Sequence, residues 1–300
     1  MRVSSPTVPL SLCLAIGLPT VLASQQSAAS ELWRLAAVTV PLPSSLASGA
    51  AAAFWTPVQP VDYGQLGLDL LQTPAAVGAT GLIGGARFPV RHFGAIGVVY
   101  ARMGLGDLVR TTDSPDPVGE SIPFYAQSGG ITWSNVYGRT GVGATATYHD
   151  TRFDGTRVER WSLDIGLIQS IGDRARVAFA TRGLSRLASD PAQDINIGAE
   201  YRLWHGILWG TTPGRLVGRY GVGFGHPGGV DHELGAGLDI GTPVTLDVVV
   251  SREASYGNAT WRGAAGLRVS VGRYRVSFAR DGGVSDLGST FRVGLEASLR

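Results

Sequence analysis

Between Ala259 and Leu299 the chain alternates between two kinds of side chain. Trp261, Gly263, Ala265, Leu267, Val269 and Val271 share one parity; Arg262, Arg268 and Ser270 fall on the other. After a break at Gly272-Arg273, Tyr274, Val276 and Phe278 alternate with Arg275 and Ser277. A third run sets Phe291, Val293, Leu295, Ala297 and Leu299 against Arg292, Gly294, Glu296 and Ser298. A period of two puts each set on one face of a strand. One face is continuously apolar, and the other carries glycine and charges of both signs. Soluble sandwiches also alternate, but with shorter strands whose polar face meets water. Strands of about ten residues with an apolar face to lipid and a polar face to an enclosed lumen match a transmembrane barrel.

The same pattern predicts about fourteen strands, near 63–71, 80–88, 94–102, 124–134, 139–149, 158–168, 174–182, 195–203, 216–225, 232–241, 244–253, 259–271, 273–280 and 289–299. An even count with both termini on the inner side suits a bacterial barrel. Connection lengths test this independently, because inner turns should be short and outer loops longer. Ser170 to Asp173, Gly241 to Pro243 and Gly272 are brief, whereas Met103 to Pro123, Gly183 to Asp194 and Asp281 to Gly288 are longer. Trp204 to Arg215 breaks the rule: it should be an inner turn, yet it is long and apolar. It reads either as an inward-folded segment or as a missed strand pair.

Parity also assigns faces. Outward sets include Leu66/Leu68/Leu70, Ile96/Val98/Tyr100, Trp161/Leu163/Ile165/Leu167 and Leu234/Ala236/Leu238/Ile240. The lumen-facing charges singled out are Asp164, Glu200, Arg202, Glu233, Asp239, Arg262, Arg268, Arg275, Arg292 and Glu296. A midplane arginine facing lipid costs roughly 2–4 kcal/mol, whereas in a lumen it can pair. Inward glycines such as Gly143, Gly198, Gly237 and Gly266 leave room for arginine heads or for a plug. Aromatics near strand ends (Tyr100, Trp133, Tyr148, Trp161, Trp204, Trp261, Tyr274, Phe291) fit interfacial girdles.

Composition narrows the class. Three hundred residues suffice for one large barrel or two ordinary domains. Hydrophobic content is 44%, yet no uninterrupted apolar stretch of the ~18 residues a spanning helix needs is present. The net charge of +2 lacks the clustered basic face that nucleic-acid binding requires. At the N-terminus, Arg2 precedes an apolar segment from Val8 to Leu22, and Val21-Leu22-Ala23 offers a cleavage site before Ser24. Residues 1–23 are therefore expected to be an export signal, 24–60 a separate Ala/Ser/Pro-rich segment, and 61–300 the barrel. The single cysteine, Cys13, lies in the signal, so the mature chain has no thiol for disulfides, nucleophilic catalysis or metal binding. Alanine in Ala47 to Ala53 favours a thin helix, which Pro57 would end. With few charges and the bulky pair Phe54-Trp55, residues 24–60 suit a hatch in the lumen, with Trp55 near the inner mouth; the rival is a periplasmic tail that binds a partner.

The stretch Gly49-Ala50-Ala51-Ala52-Ala53-Phe54-Trp55-Thr56-Pro57-Val58 followed by about fourteen strands resembles the FadL-like outer-membrane barrels. Within that superfamily, three features have the cadence of the PorV/PorQ branch. They are Asp164-Ile165-Gly166-Leu167, the run Val177 to Leu184, and Ile195-Asn196-Ile197-Gly198-Ala199-Glu200-Tyr201-Arg202. The resemblance implies a hatch motif at Phe54, Trp55, Thr56 and Pro57. Thr56 stands where the family carries asparagine and Val58 where it carries alanine, and Leu299-Arg300 is not the terminal aromatic that barrel assembly commonly reads.

Motifs for chemistry are sparse. Gly141-Val142-Gly143-Ala144-Thr145-Ala146 has the dinucleotide spacing but sits inside an alternating strand, without the helix that fingerprint needs. His226 and His232, with Asp231 and Glu233 beside them, could hold a metal but read first as a solvated loop. No Ser-His-acid set is local in sequence, so neither catalytic residue, metal site nor cofactor is assigned. The expectation is an all-β, non-enzymatic antiparallel barrel in the bacterial outer membrane, with membrane lipid as its partner and no nucleic acid. The resemblance implies either a PorV-like scaffold for secretion-system or cargo proteins, or a FadL-like passive channel for a hydrophobic small molecule. A membrane-barrel hydrolase is the further alternative. Inward charge argues against a greasy tunnel and favours the scaffold.

Overall fold

A computed structural model describes residues 40–59, 63–72, 78–106, 108–109, 121–184, 194–226, 229–255, 258–282 and 289–299. The expected export signal, residues 24–39 and Pro60 lie outside the described residues.

Fourteen strands follow one another around a closed barrel. They are β1 (Gly64–Gln72), β2 (Ala79–Val90), β3 (Gly94–Leu105), β4 (Phe124–Tyr137), β5 (Thr140–Phe153), β6 (Thr156–Ile171) and β7 (Ala175–Arg182), then β8 (Asp194–Trp209), β9 (Thr212–His226), β10 (Gly229–Ile240), β11 (Val244–Ser255), β12 (Asn258–Val271), β13 (Tyr274–Asp281) and β14 (Thr290–Leu299). Every neighbour pair is antiparallel, and β1 closes on β14 from Gly64↔Leu299 to Gln72↔Phe291. Closure removes the unpaired edges that lipid would not tolerate.

At the end where β1 begins, six connections join consecutive strands through two or three residues each. Each carries one left-handed residue: Gly138, Gly172, Gly210, Gly241, Gly272, or His92 at φ 65°. The opposite end holds the long connections 106–123, 183–193 and 282–289, which marks it as the outer side. The Trp204–Arg215 anomaly resolves here. β8 and β9 run on to a turn at Gly210-Thr211, with register shifts between Arg202 and Trp204 and between Ile207 and Trp209. Each extra residue flips the parity on which strand recognition depends, so a continuous hairpin read as a long apolar loop.

Strand register confirms a lipid-facing surface. On β12 the outward set from Trp261 to Val271 covers ten residue steps, about 34 Å of strand. At a tilt of about 40° that gives roughly 26 Å along the membrane normal, the height of an outer-membrane apolar band. Leu66, Val98, Ile131, Leu163, Ile197, Leu234, Val248 and Leu295 are all exposed on it. Two aromatic rows bound the band: Tyr100, Trp161 (68% exposed), Trp261 (71%) and Phe291 above, and Phe88, Tyr137, Tyr201 and Tyr274 below. Such an apolar belt between girdles belongs in hydrocarbon. The protein is an outer-membrane β-barrel.

Residues 40–59 lie inside the barrel. They form two short 3-10 turns, Ser44–Leu46 and Ala51–Phe54, rather than the expected α-helix. Gly49, in the left-handed region at φ 103°, separates the two turns within the run between Pro43 and Pro57, and neither turn has a side-chain cap.

Candidate functional site

The lumen is where inner segment and wall meet, and glycine makes the meeting possible. On the inward parity, a Cβ at Gly85 would sit 2.2 Å from the Ala50 carbonyl oxygen, and one at Gly143 2.6 Å from that of Pro57. A Cβ at Gly266 would sit 2.4 Å from Pro41, at Gly198 2.4 Å from Ser45, and at Gly67 2.9 Å from the Ala51 nitrogen. These positions, spread over β1, β2, β5, β8 and β12, let the segment's backbone lie directly against the wall.

Three polar side chains hold it there. Arg87, fully buried on β2, donates from Nη2 to the Pro57 carbonyl (3.0 Å) and to Ser134 Oγ (2.6 Å). Ser134 Oγ in turn donates to the Gln59 carbonyl at 3.0 Å. Gln59 closes the segment on itself: its Oε1 accepts from Gly49 N–H and its Nε2 donates to Ala47 O, both at 3.0 Å. Sequence reasoning missed this lock. Arg87 lay within a candidate strand on inward parity, but nothing local marked it or Gln59 as partners.

The four residues of the expected motif are all buried. Phe54 and Trp55 pack edge to face with centroids 5.1 Å apart, and the Arg182 guanidinium lies 5.5 Å from the Phe54 ring. Pro57 abuts Gly143 and Gly166. Thr56 has no exposed surface, and its Oγ1 lacks a hydrogen-bond partner among the described residues.

The ten singled-out charges occupy inward positions in several groups. A chain of ion pairs crosses the wall from Arg176 to Glu200 (3.1 Å), Glu200 to Arg219 (2.8 Å), Arg219 to Asp247, and Asp247 to Arg268 (3.8 Å). Arg219 on β9 reaches Asp247 on β11 over Gly237 of β10, where a Cβ would stand 2.7 Å from both. Arg275 pairs with Glu296 at 3.1 Å, Arg262 with Glu253 at 2.6 Å, and Arg292 with Asp281. Asp239 pairs with Arg215 at 2.6 Å, Glu233 abuts Gly221 opposite Pro43, and Asp164 accepts from the Gly183 N–H. Arg202 stands with Arg174, Arg176, Arg215, Arg219 and Arg268 around an inner basin of about 530 Å³, against Asp173, Glu200 and Asp239. A smaller cavity of about 50 Å³ lies between Trp55, Ala50 and the charges Asp69, Arg268, Arg275 and Glu296.

Candidate chemistry elsewhere is thin. Gly141 and Gly143 lie in β5, which is followed by β6 and not by a helix. His232 Nδ1 lies 2.8 Å from the Tyr220 hydroxyl; no metal-binding group of three His, Cys, Asp or Glu is present among the described residues. His149 Nε2 lies 2.7 Å from Ser162 Oγ inside the barrel, but Nδ1 has no hydrogen-bond partner among the described residues. The pair lacks the third group that orients a catalytic imidazole.

No family model matches the chain, and no curated protein matches it. Among solved structures it is similar to the Acinetobacter baumannii outer membrane protein Omp33 at 7% identity and a TM-score of 0.47, covering 80% of this chain and 100% of that one. A double mutant of the Rh. blastica porin aligns at 13% identity and 0.43, covering 79% and 99%, and CdiB from Acinetobacter baumannii at 9% and 0.44, covering 80% and 61%. The assignment to the outer membrane rests on the barrel's own belt and girdles.

Proposed function

We propose that the protein is a passive outer-membrane channel closed at rest by residues 40–59, which act as a hatch. The observation that carries this is the hatch's attachment. Its backbone rests on wall glycines, and its fixed contacts include a few hydrogen bonds centred on Arg87, Ser134 and Gln59. Such bonds contribute about 0.5–3 kcal/mol each, and burial of Leu46, Phe54 and Trp55 against the wall adds to them, so opening calls for a solute that displaces the segment. The FadL-like form of this reading calls for a hydrophobic solute. The ion-pair chain and the arginine-rich inner basin favour a small polar solute instead, with a bias toward anions. The test is single-channel recording in planar bilayers. A folded barrel lacking residues 47–57 should conduct more than the full chain and prefer anions, and unchanged conductance would reject the hatch.

A second reading, the PorV-like scaffold, is favoured by one feature. Beyond Arg202, β8 has no β7 partner among the described residues, and Leu203, Trp204, Ile207 and Trp209 are exposed on the projecting hairpin. An open apolar strand edge on the inner side can accept a partner strand. Shortening the hairpin should abolish partner capture and leave conductance intact if this reading holds.

A further inference from the structure

The outer wall carries polar residues where a barrel's lipid face is expected to be apolar. Cross-strand register gives a single outward row around the barrel: Leu70, Leu82, Arg102, Gln127, Asp150 and Glu159 on β1 to β6. The row one pleat below it includes Tyr100, Tyr148 and Trp161, the upper aromatic girdle. The row one pleat above contains Tyr125, Arg152 and Arg157. The polar rows therefore begin about 7 Å along the strands beyond the girdle, roughly 5 Å along the membrane normal at a tilt of about 40°, at the level of lipid headgroups.

They form a fixed network. Arg157 donates to both oxygens of Asp150 (2.9 and 3.0 Å), and Gln127 Nε2 donates to Asp150 Oδ2 at 2.8 Å. Arg102 donates to Gln127 Oε1 at 3.4 Å, with its guanidinium 4.9 Å from the Tyr125 ring centre. Asp150 and Glu159 are both engaged by Arg157. Arg102 and Arg152 have no carboxylate partner among the described residues, and both are exposed. Beside them a groove of about 690 Å³ opens at the outer rim, between outward Leu70, Leu82, Tyr100 and Arg102 and the connection residues Leu108, Ser121 and Ile122.

We propose that this sector binds one phosphorylated, acylated lipid of the outer leaflet, with its phosphate on Arg102 and Arg152 and an acyl chain in the groove. Charge complementarity decides the head. A guanidinium fork matches phosphate oxygens two at a time, and these two forks are steered by neighbours without being neutralised. The groove decides the tail, since it starts at Tyr100 of the girdle, Leu70 and Leu82 give it an apolar floor, and it is of ligand size.

The test uses the full-length barrel in mixed micelles, with bis-phosphorylated lipid A and its dephosphorylated form as probes and native mass spectrometry as the readout. The wild type should retain one phosphorylated lipid. Arg102→Gln with Arg152→Gln should weaken retention at least about tenfold, as loss of charged hydrogen bonds implies. Arg280→Gln, an outward arginine on β13, should change nothing. Heat-modifiable migration shows that each variant is folded. Leu82→Gln supplies an independent probe, since it should weaken the acyl contact with both arginines intact. Equal retention of the two lipid forms, or an equal loss in Arg280→Gln, would overturn the proposal. Displacement by inorganic phosphate alone would assign a free-anion site and overturn the lipid.

Discussion

Gly85→Val puts a side chain where the hatch backbone already lies. Its Cβ would sit 2.2 Å from the Ala50 carbonyl oxygen and 2.7 Å from the carbonyl carbon, so about 1 Å of displacement is needed to reach van der Waals contact. The obstruction is backbone, which cannot rotate away as a side-chain tip can. Overpacking of this kind costs about 1–3 kcal/mol. If the wall holds, as a closed hydrogen-bonded barrel should, the cost falls on the closed state and raises the open-to-closed ratio about 5- to 150-fold. Valine suits a strand, so assembly itself should be spared. Gly129→Val is the control, because a Cβ there meets nothing within 4 Å. In planar bilayers Gly85→Val should show more frequent or longer openings than wild type, and Gly129→Val should match wild type. Equal open probability in the two variants, both folded, would refute hatch closure at this contact.

Other consequences follow from the same geometry. Leu267→Arg should block assembly, since its outward position places the charge in hydrocarbon at roughly 2–4 kcal/mol, whereas inward Ser270→Arg should be milder; heat-modifiable migration on gels reads both. Asp247→Asn removes the charge shared by Arg219 and Arg268 and should destabilise the barrel by about 3–5 kcal/mol, as breaking a buried pair does, measured as a lower urea midpoint. Arg87→Met unpairs the Pro57 carbonyl and should expose residues 40–59 to protease added from the inner side, with the barrel still folded on gels. Cell fractionation should recover the protein with the outer membrane.

Much of the barrel was legible because lipid and lumen impose a strict period of two, which β12, β14 and β13 as far as Phe278 keep. Strand ends were not. Outward Asp150, Arg152, Arg157 and Glu159 break the apolar parity at the outer ends of β5 and β6, so those strands are longer than the pattern predicts, and bulges hid the inner ends of β8 and β9. Inward positions of Glu200, Arg268 and Glu296 could be read from parity, but their pairing depends on registers between strands distant in sequence. Arg219 meeting Asp247 across Gly237 is such a case. The lock of Arg87, Ser134 and Gln59 is equally non-local, joining residues as far as 75 positions apart.

The central claim, that residues 40–59 occupy and close the lumen, is tested most directly by tethering them. Ala50 Cβ lies 3.3 Å from a Cβ built at Gly67 of β1, which also meets the Ala51 nitrogen at 2.9 Å; a few tenths of an ångström of hatch displacement relieves that contact and brings the pair to disulfide geometry at about 3.5–4.5 Å. The chain's one cysteine, Cys13, lies in the segment expected to be removed, so Ala50→Cys with Gly67→Cys should form a single defined bond. The measurement is single-channel conductance of this variant, oxidised and then reduced in the same bilayer. The account predicts a silent barrel when oxidised and restored openings on adding reductant. Failure of the folded variant to cross-link, or equal current in the two states, would contradict it.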